Sequence, residues 1–171
     1  MPFNFTKFTD DYATIEDLQC WAGEIMEQKP HFTIGEDYLD RWFVIPRNPF
    51  HNVYLHRLRR SDDDRAMHDH PWDNSSLLLL GSYREITPNG SFIRKPGDCV
   101  HRQASDRHRL ELIGLSTVSL FITGPKVREW GFWCGPKADK FVHWRDFRAP
   151  NDKSMIGAGC GEYGEMEPVN G

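Results

Sequence analysis

Apolar positions along this chain change period once. From residue 14 to 28 they recur at helical spacing, with Ile15, Leu18, Trp21, Ala22, Ile25 and Met26 on one face. Thr14-Ile15-Glu16-Asp17 has the form of a capping box, in which a hydroxyl and an acidic side chain three residues on each satisfy a backbone N–H that the helix leaves unpaired. Pro30 stops the helix. After residue 37 the helical period is lost, and short apolar stretches alternate with turn residues. This pattern predicts strands over 38–45, 53–60, 75–80, 83–87, 91–94, 98–102, 108–113, 117–123, 128–134 and 141–144. Pro88-Asn89-Gly90 predicts a tight hairpin, because Asn and Gly tolerate positive φ. Neither a strand–helix–strand alternation nor a glycine-rich phosphate loop is present. The pattern is therefore that of an all-β sandwich or barrel with one N-terminal amphipathic helix. A helical extension over 1–36, a β domain over 37–148 and a flexible, glycine-rich tail over 149–171 are expected.

The length of 171 residues suits one domain with short appendages. Aromatics make up 13% of the chain and include 6 Trp, which excludes disorder throughout because such rings bury enough area to offset chain entropy. Leu77 to Leu80 is as long as any purely apolar run, so no segment is expected to cross a membrane. The N-terminus does not read as a signal peptide, and a cytoplasmic location is expected. The net charge of -4 argues against nucleic acid as a partner. The arginines Arg57, Arg59 and Arg60, and again Arg102, Arg107 and Arg109, mark either solvated strand faces or a pocket for an anionic small molecule. Cys20, Cys99, Cys134 and Cys160 form no CxxC pair; reduced thiols are expected, with Cys99 and Cys134 packed in the core.

The candidate chemistry lies in the histidines. In His68-Asp69-His70 the two imidazoles share one face of a strand and can reach one metal ion, while Asp69 points the other way, as a surface residue or a partner of the ligands. A satisfied structural pair is the plainer alternative. His56 shares a face with Tyr54 and Leu58 and is a ligand, a general base or a hydrogen-bonded core residue. His101 reads as structural. Tyr83, Glu85 and Arg102 are the polar candidates for the interior of the barrel. A Glu85 buried among apolar groups would have a raised pKa and serve as an acid or base; on an outer face it would do neither. Trp72 and Trp130 either wall a pocket mouth or pack in the core.

The stretch His68-x-His70-x3-Asn74-x6-Gly81 resembles the first motif of the cupin superfamily, and Pro96-Gly97-Asp98 followed by His108 resembles the second. The likeness covers roughly 53–123. Leu55-His56-Arg57, His68-Asp69-His70-Pro71-Trp72-Asp73 and Trp130-Gly131-Phe132 are similar to segments of small single-domain cupins of uncharacterised activity. The resemblance implies an all-β, cupin-type double-stranded β-helix, or jelly roll. It further implies a divalent metal ion (Fe, Zn, Mn or Ni) held by His68, His70 and His108. Asn74 stands where the family has a glutamate ligand, and Asp73 competes with it, so the fourth ligand stays open. Asp62 replaces the glycine that opens the first motif, and Gln103-Ala104-Ser105 replaces the PxG before the second-motif histidine.

Three-histidine cupins include thiol dioxygenases. A metal-dependent enzyme of dioxygenase or isomerase type, acting on a small polar or anionic molecule, is the leading expectation, with His56, Tyr83 and Glu85 as catalytic candidates. A non-catalytic module that binds or senses a small ligand is the alternative, and a metal-free sugar-nucleotide epimerase is a third. A 2-oxoglutarate oxygenase is disfavoured, because no histidine is followed two residues later by Asp or Glu. A homodimer is expected from the class of fold alone.

Overall fold

The computed structural model describes residues 13–35, 37–62, 66–135 and 138–147. Helix α1 (Ile15–Met26) opens it. Its capping box forms as the sequence predicts: the Asp17 N–H donates to the Thr14 hydroxyl at 3.1 Å, and the Thr14 N–H donates to the Asp17 carboxylate at 2.9 Å. Strands β1 (Phe32–Ile34), β2 (Leu39–Phe43), β3 (Asn52–Leu58) and β4 (Met67–His68) follow. Then come β5 (Asn74–Thr87), β6 (Gly90–Arg94), β7 (Cys99–Arg102), β8 (Arg109–Thr123), β9 (Gly131–Cys134), β10 (Lys140–His143) and a short helix α2 (Trp144–Phe147). The tail expected over 149–171 lies outside the described residues.

All strand pairs are antiparallel. A seven-stranded sheet runs β1-β2-β3-β8-β5-β6, with β7 also pairing with β5; a three-stranded sheet runs β10-β9-β4. The β5–β6 hairpin closes at Thr87 and Gly90, so Pro88-Asn89 is the two-residue loop the sequence predicts. Strand pairing begins before residue 37, since β1 pairs with β2.

Two expectations change here. The predicted strands over 75–80 and 83–87 are one strand, β5, and those over 108–113 and 117–123 are likewise one strand, β8. The break read at Gly81 is a bulge, not a turn: the register between β5 and β8 shifts from Leu78 to Leu80 and again from Leu80 to Ser82. Gly81 sits at φ 75, and a Cβ there would lie 2.2 Å from the Ser116 carbonyl oxygen, so no other residue fits without displacing backbone. The bulge resets the alternation. Ser76 faces the interior before it, and Tyr83 and Glu85 face the interior after it, while Arg84 is exposed.

The outer face of the large sheet carries the main core. Trp42, Leu55, Leu77, Leu79, Val118 and Leu120 pack there against Leu18 and Ala22 of α1. Each such buried side chain contributes about 1.5–3 kcal/mol. Two polar contacts fix the docking: Trp42 Nε1 donates to the Gln28 carbonyl at 2.9 Å, and Gln19 donates to the Leu79 carbonyl at 2.7 Å. With this face covered by α1, the opposite faces of β2, β3 and β8 are left to line an interior.

The cysteines depart from expectation. Cys99 is exposed, because its neighbours on β7 turn Val100 and Arg102 inward instead. Cys134 is fully buried, as expected, but is disulfide-bonded and not a free thiol.

Candidate metal centre

The two sheets meet at the histidines. His68 ends β4, and His108 immediately precedes β8. Their backbones form an antiparallel bridge, with N–H···O distances of 2.8 and 3.0 Å. His70 follows two residues on, its N–H bonded to the Ala104 carbonyl at 3.1 Å. One ring nitrogen from each of His68, His70 and His108 falls within 4.8 Å of the others. His70 Nε2 and His108 Nε2 are 2.9 Å apart.

Carboxylates stand behind two of these rings. Glu85 Oε1 is 3.0 Å from His108 Nδ1. An ionised carboxylate only accepts hydrogen bonds, so Nδ1 carries the proton and Nε2 presents a lone pair. Asp62 Oδ2 lies 3.5 Å from His68 Nδ1. Asp62 is itself held by the Tyr38 hydroxyl at 2.5 Å and the Leu110 N–H at 2.8 Å. Burial, followed by the nearby His108 and His68, keeps the His70 pKa well below 6.5. Burial and the charge of Arg102 bring His108 down to about 3, against the pull of Glu85. Both rings are therefore neutral at physiological pH, the state in which imidazole binds a metal.

Asp69 corrects one expectation. It is neither a surface residue nor a ligand partner: it is fully buried, accepting from the Gly131 N–H at 2.9 Å, Trp133 Nε1 at 2.8 Å and Arg128 at 2.5 Å. It ties the histidine segment to β9. Asp73 accepts from the Ala104 N–H at 2.7 Å and so has a structural partner. Asn74 is buried with its amide oxygen and nitrogen both unpartnered, but it is not among the residues that line the cavity.

Glu85 faces inward, yet its environment is the opposite of apolar. Arg102 donates to Oε1 at 2.5 and 2.8 Å, and Arg94 donates to Oε2 at 2.8 Å. Burial pushes its carboxyl up, but the hydrogen bond to His108 and the charge of Arg102 outweigh this, and its pKa ends far below the usual range. It is a fixed anion and does not serve as the proton donor the sequence suggested. His56 is buried, with Nε2 accepting from Arg41 Nε at 2.8 Å. Burial, then Arg41, hold it neutral, and its lone pair is already engaged, so base catalysis is not its role in this arrangement. Tyr83 lines the cavity, and burial raises its phenol pKa. His101 shares a hydrogen bond with Ser75 at 3.0 Å, the structural role expected.

A cavity of about 370 Å³ opens onto the three histidines between the sheets. Trp72 stacks on His70 at 5.2 Å, and Trp130 stacks on Trp144 at 5.9 Å; both tryptophans line it.

The double antiparallel sheet places a first-motif HxH and a second-motif histidine around one interior point. The chain has the cupin fold. No family model matches it, and no curated protein does. Solved structures align with part of the chain. KdgF from Halomonas sp. aligns with 60% of this chain and 90% of its own at 14% identity, TM-score 0.49. An uncharacterised conserved protein with a double-stranded β-helix domain from Klebsiella pneumoniae subsp. pneumoniae MGH 78578 aligns with 65% and 92% at 15% identity, TM-score 0.49. The DMSP lyase DddQ from Ruegeria pomeroyi DSS-3 aligns with 54% of this chain at 14% identity, TM-score 0.46; the chain spans about half of that lyase, 49%.

Sequence reading missed two residues of this interior. Asp62 registered only as a departure from a motif glycine. Arg41 lines the cavity from β2, a stretch the sequence marked only as a strand.

Proposed function

We propose that this cupin is a metal-dependent enzyme of dioxygenase or isomerase type acting on a small polar or anionic molecule, with His68, His70 and His108 as the metal ligands. The observation that carries the reading is the donor set itself. Three imidazoles converge, burial keeps two of them neutral, and carboxylates stand on the Nδ1 side of His68 and His108. A divalent ion of the Fe, Zn, Mn or Ni class suits such neutral nitrogen donors and supplies Lewis acidity or oxygen binding. Glu85 fixes the His108 tautomer. Trp72 and Trp130 line the cavity. Tyr83 is the remaining catalytic candidate, a phenol whose high pKa keeps its proton on the oxygen. The fourth donor stays unassigned: the buried Asn74 amide has no partner, but Asn74 does not line the cavity.

Elemental analysis of the purified protein tests this. About one metal per chain is expected, falling to background in the His68→Ala, His70→Ala double variant. A wild-type protein that stays metal-free after incubation with each of the four ions, with its fold intact, overturns the reading.

A further inference from the structure

Several arginines at or near the interior of this protein come with carboxylates. Arg94 and Arg102 share Glu85, Arg57 and Arg59 share Asp40, and Arg128 is paired with Asp69. Arg41 differs. It lines the cavity, and among the described residues its polar contacts are a neutral imidazole and an aromatic ring: Nε donates to His56 Nε2 at 2.8 Å, and the guanidinium lies 4.5 Å from the Tyr54 ring centroid. Neither contact neutralises its charge. The guanidinium stays protonated at any physiological pH.

The sheet register fixes where this charge sits. Arg41 on β2 is directly opposite His56 on β3, which is opposite Ser119 on β8. His56 in turn stacks on Phe121 at 4.8 Å, and the Phe121 ring centroid is 6.1 Å from that of His70. One aromatic ring thus spans the interval between the Arg41–His56 pair and the three histidines. Because His56 occupies Nε, the outer Nη1–Nη2 edge of Arg41 is left as the planar fork that matches a carboxylate.

We propose that Arg41 binds the carboxylate of a small organic acid, and that the rest of the molecule lies along Phe121 toward His70. His56 is the positioning residue that orients the guanidinium. The single charge of Arg41 suits a single carboxylate; a phosphate dianion calls for more charge than Arg41 supplies. The assignment names the substrate class for the proposed enzyme, and only the chemistry at the far end depends on that reading.

The test is an NMR titration of the full-length protein with acetate, propanoate and butanoate, each against its primary amide. The acids are expected to bind about tenfold or more tightly than the amides and to shift the Arg41 Nε–H resonance. Arg41→Met is expected to abolish the preference, and Arg41→Lys to retain part of it. Should Arg41→Met not fold, Arg41→Gln takes its place. The His68→Ala, His70→Ala variant is expected to keep the preference even without metal, so a failure of the metal reading leaves this one standing. Equal binding of acid and amide by the wild type overturns the proposal, as does a preference that survives the loss of Arg41. Inorganic phosphate binding more tightly than every acid overturns the choice of carboxylate.

Discussion

Glu85 shows how a buried charge acquires a fixed role. Its two oxygens are divided among Arg102, Arg94 and the His108 N–H, so removing the charge leaves two guanidinium groups without a counter-ion and frees a ligand to rotate. Glu85→Gln should lower stability by about 3–5 kcal/mol, as urea denaturation will report. It should also weaken metal binding by about 10–100-fold in a chelator competition. A loss confined to stability would mean that the His108 tautomer does not depend on Glu85. Residues two apart in sequence are legible, and so was the His68–His70 pair, although β4 ends at His68. Partners brought together by folding are not. Asp62 meets the Leu110 N–H across 48 residues, and nothing local at either position announces it. The same holds for the acid–base roles given to His56 and Glu85. Alternation left inward facing open as one alternative, and charge state depends on Arg41, Arg94 and Arg102, which arrive from other strands.

At the scale of elements, the helix was the most legible part because its signals are local: a cap, a period and a proline. Most strands were placed in outline, but β1 and β4 were not predicted, and both long strands were cut in two, since a glycine reads as a turn unless its pairing partner is known. That misreading hid the reason Tyr83 and Glu85 face inward alongside Ser76. Without the bulge, strict alternation from Ser76 would turn Arg84 inward. Gly81→Ala therefore tests more than strain. With φ at 75 and the Ser116 oxygen 2.2 Å from the new Cβ, it should cost at least about 2 kcal/mol in urea denaturation. Gly97 offers the control. It has a similar φ of 93 but nothing within 4 Å of a built Cβ, so Gly97→Ala should cost about 1 kcal/mol. Equal losses at the two sites would show that the close approach at the bulge is unimportant.

Over the whole molecule, the same burial that prepares the histidines for a metal makes the metal-free fold sensitive to acid. His56, His70 and His108 all have folded pKa values below the ordinary 6.5. Between the folded and unfolded values the unfolded chain holds more protons, so the stability these groups contribute is complete above 6.5 and declines as pH falls below it. Each contributes a slope of about 1.4 kcal/mol per pH unit across its own window. Glu85 and Asp40 follow the same sign at lower pH. Their folded values lie below 4.5 and 3.8, so their share is intact until pH falls below those values, where it adds to the remaining loss from His108, whose window runs down to about 3. Chelator-treated protein should therefore lose stability in two stages, the first beginning near pH 6.5 and the second near pH 4.5. Urea midpoints measured across this range will resolve them. His56→Gln, which removes one of the titrating rings, should flatten the first stage and leave the second. Metal added back should steepen the first stage, because the protons then compete with the ion for the same nitrogens. A midpoint that stays constant from about pH 7 to about pH 5 would show that these imidazoles are not held neutral by the fold. Their readiness for a metal would then have to come from the ion itself.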